Sequence, residues 1–149
     1  MLAGRVNEPA YHAYRLRLEA SLHIPADAKE QRIHEIIVAG IEPTRIKAWC
    51  EQSIFSTHAL IHVISISTLH RRLARGQRLT LGESDRLFRL AHVTAMAEAV
   101  FGSKQKARCW LCKPKLRFAG TPPIALLSTY LGTRLIEELL IEYADRLAF

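Results

Sequence analysis

Apolar residues in this chain recur at every third and fourth position, and alternating patterns are short. That period lays the apolar side chains of each segment along one stripe of an α-helix. Only seven Gly and six Pro interrupt the 149 residues, so turns are few and the expected fold class is all-α. Tyr11, Tyr14, Leu18 and Leu22 share one helical face before Pro25 ends the segment. In residues 27–39 the stripe is Ile33, Ile36 and Ile37, and Gly40 suits a left-handed helix end. Pro43 then opens a helix that carries Ile46 and Trp49.

The best-marked helix start is Thr80 with Glu83 three residues on, the spacing of a capping box. Leu87, Leu90, Ala91, Thr94, Ala97 and Phe101 follow on one side, and Gly102 stops the helix. Ser103 caps a shorter helix with Ala107, Trp110 and Leu111 inward, ended by Pro114. Residues 113–120 read as a loop. Thr121-Pro122-Pro123 reads as an N-cap with proline at a helix start, interrupted at residues 129–132. A last helix is expected from about Thr133 to Tyr143, with Leu135, Leu139 and Leu140 apolar. No flexible linker marks the boundary near Arg78 to Thr80. The expected division is residues 1–25, an N-terminal segment with little definition, then 26–78 and 79–149, two helical regions packed together.

Lys and Arg number 21 against 14 Asp and Glu, a formal charge of +7, while 49% of residues are apolar. The balance is that of a globular domain, and a basic excess favours acidic partners such as nucleic acid. No apolar run reaches the length of a bilayer span, and the first residues lack the pattern of a secretory signal. Three cysteines are too few for a disulfide framework, so a cytoplasmic location and no membrane association are expected. Cys109 and Cys112 are one turn apart without the second pair that a structural zinc site needs, and His58 and His62 lack the following Glu of a metalloprotease. No catalytic residues, metal or cofactor are expected.

Residues 56–76 read STHALIHVISISTLHRRLARG. Two short helices joined near Ile64-Ser65 make a helix-turn-helix, with Ile64, Leu69 and Leu73 inward and the second helix aimed at a major groove. Ser65, Ser67, Thr68, His70, Arg71, Arg72 and Arg75 are the expected DNA contacts, hydroxyls near the helix start and cations beyond. Val63 occupies the place where Gly commonly eases the turn, and a left-handed Val there costs roughly a kcal/mol. A second basic run, from Lys104 to Arg117, contrasts with an acidic C-terminal stretch of Glu137, Glu138, Glu142 and Asp145.

The C-terminal half carries Leu79, Glu83-Ser84-Asp85-Arg86-Leu87, Val100-Phe101-Gly102, Ala107, Trp110-Leu111, Thr121-Pro122, Leu126-Leu127, Thr129 and Glu137-Glu138-Leu139-Leu140. Over about 70 residues this resembles the Xre/MbcA/ParS toxin-binding family of antitoxins. Ile64-Ser65, Thr68-Leu69 and Arg71-Arg72-Leu73 resemble the family's upstream Xre-like helix-turn-helix. The resemblance implies that residues 79–149 bind a RES-domain toxin, an NAD-consuming enzyme, and that residues 26–78 bind operator DNA. It further implies a non-enzymatic homodimer that represses its own operon. The chain end, with Tyr143, Arg146, Leu147 and Phe149, is the expected toxin contact. Ala144-Asp145 stands where the family usually has Gly. The alternative reading is a free-standing helix-turn-helix regulator whose C-terminal half only dimerises.

Overall fold

A computed structural model describes residues 5–52 and 60–147. These form seven α-helices: α1 (Glu8–Leu22), α2 (Glu30–Ala39), α3 (Thr44–Gln52), α4 (Ile66–Arg75), α5 (Leu81–Phe101), α6 (Lys104–Cys112) and α7 (Tyr130–Leu147). Two 3-10 turns, Leu116–Phe118 and Pro123–Ser128, connect α6 to α7. Among the described residues there is no strand, only an isolated bridge between Lys115 and Thr121, so the fold is all-α. No described helix is long and apolar enough to cross a membrane.

The long α5 is the axis around which the others pack. Its residues 90 to 97 are buried without a break, because α1, α2, α6, α7 and the Pro123–Ser128 turn pack around it. A helix apolar nearly all round is a central one. The polar groups it takes inside are satisfied. The Tyr14 hydroxyl of α1 lies 2.6 Å from His92 Nδ1, and His92 Nε2 lies 2.7 Å from Glu137 Oε1 of α7. With Tyr14 donating to Nδ1 and Nε2–H donating to Glu137, all three groups are satisfied by a neutral imidazole. Burial raises the Tyr14 pKa, which keeps its proton in place. Residues 8–22, whose shared apolar face is readable but whose partner is not, thus pack as α1 on the central helix. Arg15, buried in α1, donates to the Pro25 and Ala28 carbonyls and fixes the chain that leaves it.

The capping box forms as read: Thr80 Oγ1 accepts from Glu83 N–H at 3.2 Å, and Glu83 Oε2 from Thr80 N–H at 3.5 Å. Ser103 caps α6, and Gly102 ends α5 in the left-handed conformation. Gly40 also has positive φ, but at φ 90° and ψ 128° it is not the left-handed helix end expected. A Cβ there would sit 2.6 Å from the Leu79 carbonyl oxygen, so the position serves a close backbone crossing.

Two expectations are corrected near the C-terminus. Thr121 does not cap an α-helix; Pro122 holds the cap position of a 3-10 turn with no side-chain cap bond. The last helix begins at Tyr130, not Thr133, because Thr129 caps it: its Oγ1 accepts from Gly132 N–H at 2.9 Å. That helix also continues to Leu147 rather than stopping at Tyr143.

Candidate functional site

Two regions carry the candidate residues, and the first turns of α5 join them. Three polar side chains in the first turns, those of Glu83, Ser84 and Arg86, each hold a different piece of the N-terminal half. Glu83 takes two bonds from the Arg72 guanidinium of α4, Nη2 to Oε1 at 2.8 Å and Nε to Oε2 at 3.3 Å. Ser84 Oγ accepts the Ile41 N–H at 2.9 Å, holding the α2–α3 connection. Arg86 Nε donates to the Val63 carbonyl at 3.0 Å, holding the turn before α4. Asp85 pairs instead with Arg89 along the helix.

The turn itself is built without glycine and without strain. Val63 has negative φ, since only His23 and Ala119 among the described non-glycine residues are positive. Its side chain is buried beside Leu60 and Ile64 in the core. The left-handed cost expected of Val63 therefore does not arise. His58 and the rest of the first helix proposed for the motif, up to Ala59, lie outside the described residues.

Helix α4 starts at its cap Ser65, whose Oγ accepts from Thr68 N–H at 3.3 Å and whose hydroxyl lies 2.7 Å from Thr68 Oγ1. Ser65 and Thr68 are thus engaged in starting the helix. Arg72 is engaged by Glu83, with only 18% and 8% of the two side chains exposed. The remaining expected contacts, Ser67, His70, Arg71 and Arg75, are all exposed and share one face. Neither Arg71 nor Arg75 has a carboxylate partner among the described residues. Leu69 and Leu73, expected inward, are only half-buried, and α4 has no fully buried residue. Ile66, half exposed, lies three and seven residues before Leu69 and Leu73 and extends their apolar stripe at the start of the helix.

The second region is the end of α7. Tyr143 packs with Phe101 and Trp110, ring centroids 5.7 to 6.0 Å apart. Lys115 lies over Trp110 at 5.2 Å and Arg146 over Tyr143 at 5.9 Å, both within cation–π range. Glu142 receives two bonds from Arg117, at 2.9 and 3.1 Å, and this holds its carboxyl below the usual range. Tyr143 is therefore half-buried as a support, while Arg146 and Leu147 project into solvent. Phe149 lies outside the described residues. Cys109 and Cys112 are free, exposed thiols, and no group of three or more His, Cys, Asp or Glu converges among the described residues.

Comparison with known proteins covers both regions. A family model described as the antitoxin Xre/MbcA/ParS C-terminal toxin-binding domain matches residues 96–145. Those residues enclose the aromatic cluster and the Arg117–Glu142 pair, and stop before Arg146. The protein named Antitoxin Xre of Pseudomonas putida strain KT2440 is 45% identical over 145 residues, covering 97% of this chain and 91% of that protein.

Proposed function

The chain belongs to the Xre antitoxin family, and from that premise we propose that it neutralises a RES-type, NAD-consuming toxin and represses its own operon as a DNA-binding homodimer. On this reading it is a non-enzymatic cytoplasmic protein that works by binding. The toxin-facing part is the end of α7, where Arg146 and Leu147 continue beyond the aromatic support and residues 148–149 follow. The observation that favours it is the division of labour around Tyr143. Phe101 and Trp110 pack under the helix end, Lys115 lies over Trp110 and Arg117 pairs with Glu142 at the surface, so the exposed residues after it leave from an anchored base. An anchored base lowers the ordering cost of an inserted tail.

Deleting residues 145–149 is expected to abolish inhibition of the toxin's NAD consumption while leaving the melting temperature unchanged. Full inhibition by the truncated chain, in a purified two-component assay, sinks the tail as the blocking element.

On the DNA side, Ser67, His70, Arg71 and Arg75 form the reading face, and Arg72 sets the angle of α4 from behind it. A homodimer presents two copies of α4 about 34 Å apart to a palindromic operator. Arg71→Ala is expected to weaken operator binding about tenfold, with part of the loss confined to one base-pair position if Arg71 reads a guanine. Binding titrations of the upstream DNA across a salt series test this, and unchanged affinity at every salt excludes α4 as the reader.

A further inference from the structure

The segment between α6 and α7 presents a leucine with nothing over it. Leu116 is 99% exposed, whereas the next most exposed large apolar residue among those described, Leu131, stands at 71%. The turn that carries it is closed by its own backbone. Lys115 N–H donates to the Thr121 carbonyl at 3.3 Å, the Lys115 carbonyl accepts from Gly120 N–H at 2.9 Å, and the Leu116 carbonyl accepts from Ala119 N–H at 3.0 Å. Closure holds Ala119 at φ 53° and ψ 38°, a left-handed conformation that alanine adopts only at a cost. Side chains in a 3-10 turn leave about 120° apart, so Lys115, Leu116 and Arg117 point three ways. Lys115 lies over the Trp110 ring of α6, and Arg117 makes two bonds to Glu142 of α7. Leu116 is left pointing away from the body.

An isolated exposed leucine needs no explanation by itself. What sets Leu116 apart is that a closed, strained turn fixes it there, with the residues on both sides tied to neighbouring helices. A side chain already fixed gives up little freedom when it enters a pocket, and strained backbone is retained where it positions a contact. Its place selects the partner. Leu116 lies inside the toxin-binding domain. Arg117 beside it holds Glu142, one helical turn before Arg146, and the Trp110 that Lys115 covers packs on Tyr143. The leucine therefore flanks the base from which the chain end leaves. We propose that Leu116 is an anchor for the toxin, entering an apolar pocket on the toxin's surface beside the site that the chain end blocks. The proposal rests on the toxin-neutralising reading above and adds to it a second contact, one that supplies affinity while the chain end supplies inhibition.

The test is titration calorimetry of the full-length chain against the purified RES-domain protein encoded beside the chain's own gene, with inhibition of that protein's NAD consumption measured in parallel. Leu116→Ala is expected to weaken binding about thirtyfold, the loss of the leucine's outer carbons from the pocket. Leu116→Met, of similar volume, is expected to stay near wild type, and Leu116→Asp to lose more than alanine. The exposed position predicts an unchanged melting temperature for all three. At saturating concentration Leu116→Ala should still inhibit completely, because the chain end is untouched. Wild-type affinity in both Leu116→Ala and Leu116→Asp overturns the anchor and leaves the toxin-neutralising reading standing. No binding by the wild-type chain overturns both. A shift toward monomer on gel filtration of Leu116→Asp alone, with toxin affinity intact, assigns the turn to a contact between copies of this chain and also overturns the proposal. Lost inhibition at saturation places Leu116 in the blocking element itself and overturns its role as a separate anchor.

Discussion

Gly132→Ala is expected to destabilise the protein by about 3 kcal/mol, the upper part of the range for overpacking, measured as a lower denaturant midpoint at unchanged slope. A Cβ at this position would lie 1.9 Å from the Leu126 carbonyl oxygen, 2.9 Å from its carbon and 3.0 Å from Thr129 Oγ1. Neither obstacle is a flexible side-chain end. The carbonyl belongs to the 3-10 turn packed under α7, and the hydroxyl is already the cap that accepts Gly132 N–H. Relief requires α7 to lift from the turn, which moves Thr133 and Ile136, both buried against the core. In an open helix the same change stabilises, because alanine costs less backbone entropy than glycine by about 0.5–1 kcal/mol. Gly82→Ala in the first turn of α5 supplies that control, since its nearest neighbour is the tip of Arg86 at 3.4 Å. Opposite signs for the two substitutions are the expected result. A neutral or stabilising Gly132→Ala would mean that α7 does not sit on the Leu126 carbonyl.

This contrast also explains what was legible in the sequence. Helix starts whose caps are local could be read: Thr80 with Glu83, and Ser103, each act on a backbone group three residues away. Gly132 misled because the sequence shows only that a glycine interrupts a periodic pattern. The reason for it, a carbonyl six residues earlier folded back against the helix, is tertiary. The second miss has the same origin. Pro122 and Pro123 announce a helix start, but the segment is followed at once by Thr129, which caps α7, and the short stretch between closes as a 3-10 turn.

The candidate site divides along the same line. The face bearing Ser67, His70, Arg71 and Arg75 follows from helical spacing alone. Arg72 follows Arg71 and looks equivalent to it, yet it lies three residues after Leu69 and so shares the inward side. Its partner Glu83 sits across the Gly76 turn, eleven residues on, and only the packing of α4 on α5 brings them together. Tyr143 shows the same limit. As a terminal aromatic it reads as an anchor for a partner, while its packing against Phe101 and Trp110, far earlier in the chain, is tertiary and not visible in the sequence.

Glu83 therefore carries two duties, and its replacement is the second large effect expected. Glu83→Ala removes the reciprocal half of the capping box and both bonds to Arg72, for a combined loss of about 2 kcal/mol. Glu83→Gln keeps the size and a hydrogen-bonding oxygen but removes the charge, and should fall between wild type and alanine. The pH dependence separates a charge effect from a packing effect. Burial alone would raise the Glu83 carboxyl, but the bonds from Arg72 and from Thr80 outweigh it and hold the group below its ordinary value. A carboxyl with a depressed native pKa contributes stability that is complete above about pH 4.3, the ordinary value, and is lost as pH falls through the native one. Wild type should accordingly lose stability on acidification below about pH 4.3, and Glu83→Gln should lose less, with a residual slope from Glu137, held low against burial by its bond to His92. The consequence for function is directional. Among the described residues, α4 would then be held to the central helix by the half-buried Leu69 and Leu73 and, at the turn before it, by the bond from Arg86 to the Val63 carbonyl, so on the proposed function Glu83→Gln should weaken operator binding and leave toxin binding intact. Parallel losses of both bindings would show a general collapse, and unchanged stability together with unchanged DNA affinity would show that the Arg72–Glu83 pair does not position the helix at all.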